Sequence, residues 1–80
     1  MELLVLTPEK EIFNGSISSV SVPGLGGRFE ILKGHAPIVS ALGEGNVKIK
    51  TVGGEVNEFK IKKGFVEVLK NEVSLLVQMP

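Results

Sequence analysis

The fold class predicted by this sequence is all-β, an antiparallel sandwich or barrel of short strands, and three observations lead to it. Ten glycines and four prolines punctuate the 80 residues, and Val, Ile, Thr and Phe dominate the stretches between them, which favours strands over helices. Apolar or alternating runs recur about every ten residues with turn residues at each break. The chain has no cysteine, so neither a disulfide nor a thiolate metal site can substitute for a packed core. A mass of 8.5 kDa allows one small domain, residues 1–80.

Taken in order, the runs fall near 2–6, 16–22, 28–32, 37–42, 46–52, 56–62, 65–69 and 72–78. The breaks are Thr7-Pro8, Asn14-Gly15, Gly24 to Gly27, Gly34, Gly43 to Gly45, Gly53-Gly54, Gly64 and Lys70-Asn71. Two hairpins can be set in register. For 46–62, a three-residue loop from Gly53 to Glu55 pairs Ile49 with Phe59, Val47 with Ile61 and Lys50 with Glu58, giving one apolar and one charged face. A two-residue Gly53-Gly54 loop would instead set Ile49 against Glu58. For 65–77, a two-residue Lys70-Asn71 turn pairs Val68 with Val73 and Val66 with Leu75, and Asn tolerates the left-handed backbone such a turn requires.

That second hairpin leaves a surplus. With Val66, Val68, Val73 and Leu75 inward, the other face still carries Phe65, Leu69 and Leu76, and the first strand is apolar on both faces through Leu3, Leu4, Val5 and Leu6. A small sandwich should show water one side of each sheet. The extra apolar face is therefore covered by loops or reserved for another protein.

Chemistry is sparse. Nine Lys and Arg balance nine Asp and Glu, so no overall positive field invites nucleic acid. One histidine is too few for an ordinary zinc site, and no metal or cofactor is expected. Most carboxylates alternate with apolar residues in the manner of a solvated face, and Glu9 and Glu11 read as surface charge, so no catalytic residue is assigned. Gly24-Leu25-Gly26-Gly27 lacks the Lys-Ser/Thr and helical pattern of a phosphate cradle, and reads as a hairpin tip. The longest apolar run, Leu3 to Leu6, is far short of the roughly 20 residues of a membrane span, and no secretion signal is recognisable. His35, in Lys33-Gly34-His35-Ala36-Pro37, sits between residues that stiffen a loop, a setting that suits recognition, although a turn-bonded histidine needs no function.

Four segments carry a family resemblance: Thr7-Pro8-Glu9-Lys10-Glu11-Ile12-Phe13-Asn14-Gly15, Val20-Ser21-Val22-Pro23-Gly24, Gly34-His35-Ala36-Pro37 and Gly64-Phe65-Val66-Glu67-Val68. In this order and spacing, covering nearly the whole chain, they resemble the amino-terminal domain of the epsilon subunit of bacterial and chloroplast F-type ATP synthase. The resemblance implies a sandwich of about ten strands at the foot of the central stalk. It implies no enzyme activity of its own, with one side against the gamma subunit and one end on the polar loops of the c-ring. Carried over by position, the ring contact comprises Arg28, Glu30, Lys33, Gly34, His35, Ala36 and Pro37. The gamma contact falls near Thr7, Val39 and Ser40, and a few apolar side chains near Phe65, Leu76 or Val39, desolvated on binding, are expected to supply affinity there. The implied location is the cytoplasmic face of the bacterial inner membrane, peripheral and without insertion.

Two departures alter the contact chemistry. Arg28 stands where the family commonly has an acidic residue, and Glu30 and Lys33 stand where it commonly has Gly and Pro. Residues two apart on a strand share a face, so Glu30 is expected to supply the carboxylate beside Arg28. Longer relatives continue into a helical hairpin that binds ATP in some species and restrains hydrolysis. No 3.6-residue pattern follows the last strand here, and neither nucleotide binding nor self-inhibition is expected. The competing reading is a small β-sandwich binding module for a peptide or carbohydrate. Four Phe with no Trp or Tyr offer it few aromatics.

Overall fold

The computed structural model describes residues 1–80, and every regular element is a strand: β1 Glu2–Leu6, β2 Glu11–Gly24, β3 Gly27–Leu32, β4 Ile38–Leu42, β5 Gly45–Thr51, β6 Val56–Ile61, β7 Lys63–Leu69 and β8 Glu72–Gln78. These eight match the eight runs of the sequence; the ten implied by the resemblance do not form. With no helix, nothing helical is long and apolar enough to cross a membrane.

The layers are organised by β2, the longest strand at 14 residues. Its first half pairs with β1 (Leu3↔Gly15, Leu4↔Asn14), and its second half lies between β3 (Ser21↔Glu30) and β5 (Ser21↔Lys48). A bulge between Ile17 and Ser19 bends it, as expected where a strand passes from one layer to the other. Ser18 Oγ donates to the Lys50 carbonyl there (3.2 Å). Asn14-Gly15, read from the sequence as a break, stays extended because β1 supplies backbone partners on that side.

One layer runs β2-β1-β8-β7-β4, the other β3-β2-β5-β6. The first closes on itself through Gly24↔Leu42 between β2 and β4. All pairings are antiparallel except β1 with β8, which is parallel (Leu3↔Val73, Val5↔Leu75). This departs from the purely antiparallel expectation, since local periodicity carries no information about the direction of a partner so distant along the chain.

Fifteen buried aliphatic residues form the core, at least one from each strand, and no polar or charged side chain is buried among them. Such a core is stabilised by apolar burial at roughly 25 cal/mol per Å², with 49 backbone hydrogen bonds satisfying the chain it encloses.

Turn chemistry agrees with one register and corrects the other. At β7–β8, Val68 pairs with Val73 and Val66 with Leu75, and Lys70 and Asn71 both have positive φ, 49° and 67°, a type I′ turn. At β5–β6 the loop has the expected three residues but spans 52–54: Val47 faces Phe59, Lys48 faces Glu58 and Ile49 faces Asn57. The slip of two residues from the expected pairing keeps every side chain on the same face, so alternation alone could not detect it. Local bonds decide it: Gly54 N donates to the Thr51 carbonyl (3.0 Å) and Glu55 N to Thr51 Oγ1 (3.0 Å).

Candidate functional surfaces

Outside the core, the outer face of β1, β8, β7 and β4 carries an apolar patch among polar residues that include Lys63, Glu67, Ser74 and Gln78. Register puts Phe65 opposite Leu76 on β8 and opposite Ala41 on β4, and Val39 opposite Glu67. Phe65 is 58% exposed, Leu76 53% and Val39 73%. Half-buried Leu4 and Leu6 of β1 complete this wall, which carries a groove of about 360 Å³ bordered by Leu4, Leu6, Val39, Phe65 and Leu76. A wider groove of about 700 Å³ continues past Phe65 toward Thr7, Pro8 and Leu25. Leu69 lies on the same face of β7. The surplus apolar face read from the hairpin pattern is thus solvent-facing, and no loop covers its anchors.

The other residues expected near this wall behave differently. Thr7 borders the wider groove, yet its hydroxyl serves the β1–β2 turn, accepting from Lys10 N (3.1 Å) and Glu9 N (3.3 Å). Ser40, next to Val39, alternates to the inner side and is half-buried. Leu4, Leu6 and Ala41 were not assigned from sequence. The signal for Leu4 and Leu6 was the β1 run, apolar on both faces, which on a central strand means two covered sides; Ala41 on β4 had none.

The second constellation follows β3, an edge strand that pairs with β2 alone. Arg28 and Glu30 project from one face of it. Arg28 Nη1 donates to the Asn46 carbonyl (2.7 Å) and Nη2 to Ser21 Oγ (2.9 Å), while Asn46 Nδ2 donates to Glu58 Oε2 (3.1 Å). Beyond Leu32 the chain turns: His35 N donates to the Leu32 carbonyl (3.0 Å), and Gly34 at φ 85° occupies the third position, as a type II turn requires. His35 Nδ1 lies 2.7 Å from the Ala36 carbonyl. A carbonyl can only accept, so Nδ1 carries the proton and Nε2 is left for another partner. Ala36 and Pro37 are exposed.

These seven residues do not gather at one end. Arg28 sits beside the Gly24–Gly27 hairpin tip and Lys33 to Pro37 at the opposite end of β3, about 13 Å farther along at roughly 3.3 Å per residue. They form a polar stripe along a sheet edge. No group of three or more acidic or histidine side chains is positioned to hold a metal, and nothing in the stripe pairs a nucleophile with a base. Two recognition surfaces, one apolar and one polar, are what the geometry offers.

Comparison with known proteins gives those surfaces a context. Residues 1–79 match the family described as the ATP synthase delta/epsilon chain, beta-sandwich domain. The chain belongs to this family. It is 42% identical over 77 residues to the ATP synthase epsilon chain of Chlorobium limicola, an alignment covering 96% of this chain and 88% of that one. It is 43% identical over 74 residues to the epsilon chain of Chlorobaculum tepidum, covering 92% and 84%. In structure it resembles a chain in the central stalk and c-ring of Tetrahymena thermophila mitochondrial ATP synthase, with a TM-score of 0.80 at 25% identity, covering 96% of this chain and 62% of that chain. The epsilon resemblance carried by Thr7 to Gly15, Val20 to Gly24, Gly34 to Pro37 and Gly64 to Val68 is thereby confirmed at the level of family and fold, and the chain is an epsilon-type subunit of ATP synthase.

Proposed function

We propose that this epsilon-type chain is a non-catalytic central-stalk component that joins the gamma subunit to the c-ring, so that rotation driven by proton passage reaches the catalytic head. The exposed apolar wall of β1, β8, β7 and β4 carries the reading: an otherwise well-packed small domain leaves Phe65, Leu76 and Val39 in water, the arrangement of a face that a protein partner buries. Gamma is assigned to that wall. The c-ring loops are assigned to the polar stripe, with Glu30, Lys33 and His35 as its outward groups.

A rotor part must be stiff between its two contacts. The doubly paired β1, the bent β2 shared by both layers and the closed circuit of the first layer supply that stiffness through backbone hydrogen bonds that leave few free strand edges. The implied location is peripheral, on the cytoplasmic face of the membrane that holds the ring.

The test is affinity purification of the tagged chain from detergent-solubilised membranes of its own host. Gamma and c subunits are expected to co-purify with it, and gamma alone is expected to bind the purified chain. An intact synthase that excludes the tagged chain would overturn the assignment.

A further inference from the structure

The Arg28 side chain reaches across two neighbouring strands. Its guanidinium leaves β3, passes the intervening strand β2 with one hydrogen bond to Ser21 Oγ (2.9 Å), and ends on the backbone carbonyl of Asn46 in β5 (2.7 Å). The Asn46 side chain then continues the line to Glu58 on β6 (3.1 Å). All four strands of the second layer are tied across one exposed face, including the two edge strands β3 and β6, each of which has a ladder on one side only. A planar guanidinium can satisfy two acceptors at once in a fixed geometry; an ammonium is a point donor on a flexible stem.

We infer that Arg28 is a positioning residue: it straps edge strand β3 to β5 and so fixes Glu30, two residues along the same face, in the orientation that the c-ring meets. This rests on the proposed assignment of the polar stripe to the ring. Charge-assisted bonds of this kind are about twice as strong as neutral ones, and the expected consequence of losing the strap is a more mobile β3 rather than an unfolded domain, because Arg28 lies outside the core.

Three variants separate a strap from a direct contact: Arg28→Ala, Arg28→Lys and Ser21→Ala. Each is measured by amide hydrogen exchange of the purified chain and by binding of its gamma complex to purified c-ring. The strap predicts that Arg28→Ala speeds exchange across β3 about tenfold, with core strands β7 and β8 unaffected, and weakens ring binding severalfold. Arg28→Lys recovers part of both. Ser21→Ala, which changes no charge and removes only one acceptor, shifts both in the same direction by a smaller factor. Unchanged β3 exchange in Arg28→Ala overturns the strap, as does loss of ring binding in Arg28→Ala with Ser21→Ala silent, which would make Arg28 a contact residue. A wild-type complex that fails to bind the ring would refute the ring assignment and with it the orienting role, while the exchange data would still report whether β3 is strapped.

Discussion

Gly64 and Gly34 show how differently two glycines constrain the same fold. At Gly64 a β-carbon would lie 2.5 Å from the Leu76 carbonyl oxygen and 3.1 Å from Val77 Cγ1, so Gly64→Ala forces β7 away from β8. The expected cost is about 2–3 kcal/mol, in the range of overpacking, read as a lower urea midpoint with an unchanged slope. At Gly34 nothing lies within 4 Å of that position, and Gly34→Ala is expected to cost only the left-handed backbone, about 1 kcal/mol. Both glycines read as breaks in the sequence, yet only Gly34 is one; Gly64 is inside β7. A glycine in an apolar run looks identical whether it turns the chain or admits a neighbour, and the neighbour is not in the local sequence. Glu30 tests the polar stripe at the same scale. Glu30→Lys is expected to weaken assembly on the c-ring, and reversal of the facing charge on the c loop to restore it; no rescue would remove Glu30 from the contact. His35→Ala, which loses the Ala36 bond and the free Nε2, is expected to weaken docking modestly while the isolated domain keeps its unfolding midpoint.

Elements were legible wherever local chemistry set them. All eight strands were marked by their apolar runs, and the β7–β8 register followed from a turn that only two residues could make. Lys70 holds a left-handed conformation there, φ 49°, that Lys adopts at a cost. Replacing the pair by Asn-Gly, through Lys70→Asn and Asn71→Gly, is therefore expected to raise stability by about 1 kcal/mol, since that dipeptide suits a type I′ turn best. Calorimetry would show a melting temperature higher by about 4–8 °C for a domain of this size; no gain would mean that Lys70 is held by contacts beyond the turn. The β5–β6 register was less legible because registers two residues apart present the same faces, and the bonds to the Thr51 carbonyl and hydroxyl in the turn distinguish them. Least legible were the 14-residue span of β2 and the parallel pairing of β1 with β8, which are set by strands far away in sequence.

For the molecule as a whole, the apolar wall was foreseeable because hydrophobic residues outnumber what one core can hold, whereas the stripe along β3 was foreseen only as a cluster, the height of the strand being invisible in a list of residues. The wall also sets the most decisive experiment. Phe65 and Leu76 face each other across β7 and β8, and both are more than half exposed, so neither holds the isolated fold together. Phe65→Ser with Leu76→Ser should leave the unfolding free energy from urea titration within about 0.5 kcal/mol of the parent, the usual range for surface changes. A protein partner that desolvates both would lose at least about 2 kcal/mol on their truncation, the threshold of an interface hot spot, which is roughly a 30-fold weaker dissociation constant. Titration calorimetry of purified gamma against the parent and the double variant measures this directly, and Phe65→Leu should retain most of the affinity because it keeps the apolar volume. Gamma binding that is unchanged by the double substitution would move gamma off the wall, and β1, β8, β7 and β4 would then need another neighbour to account for their outer face.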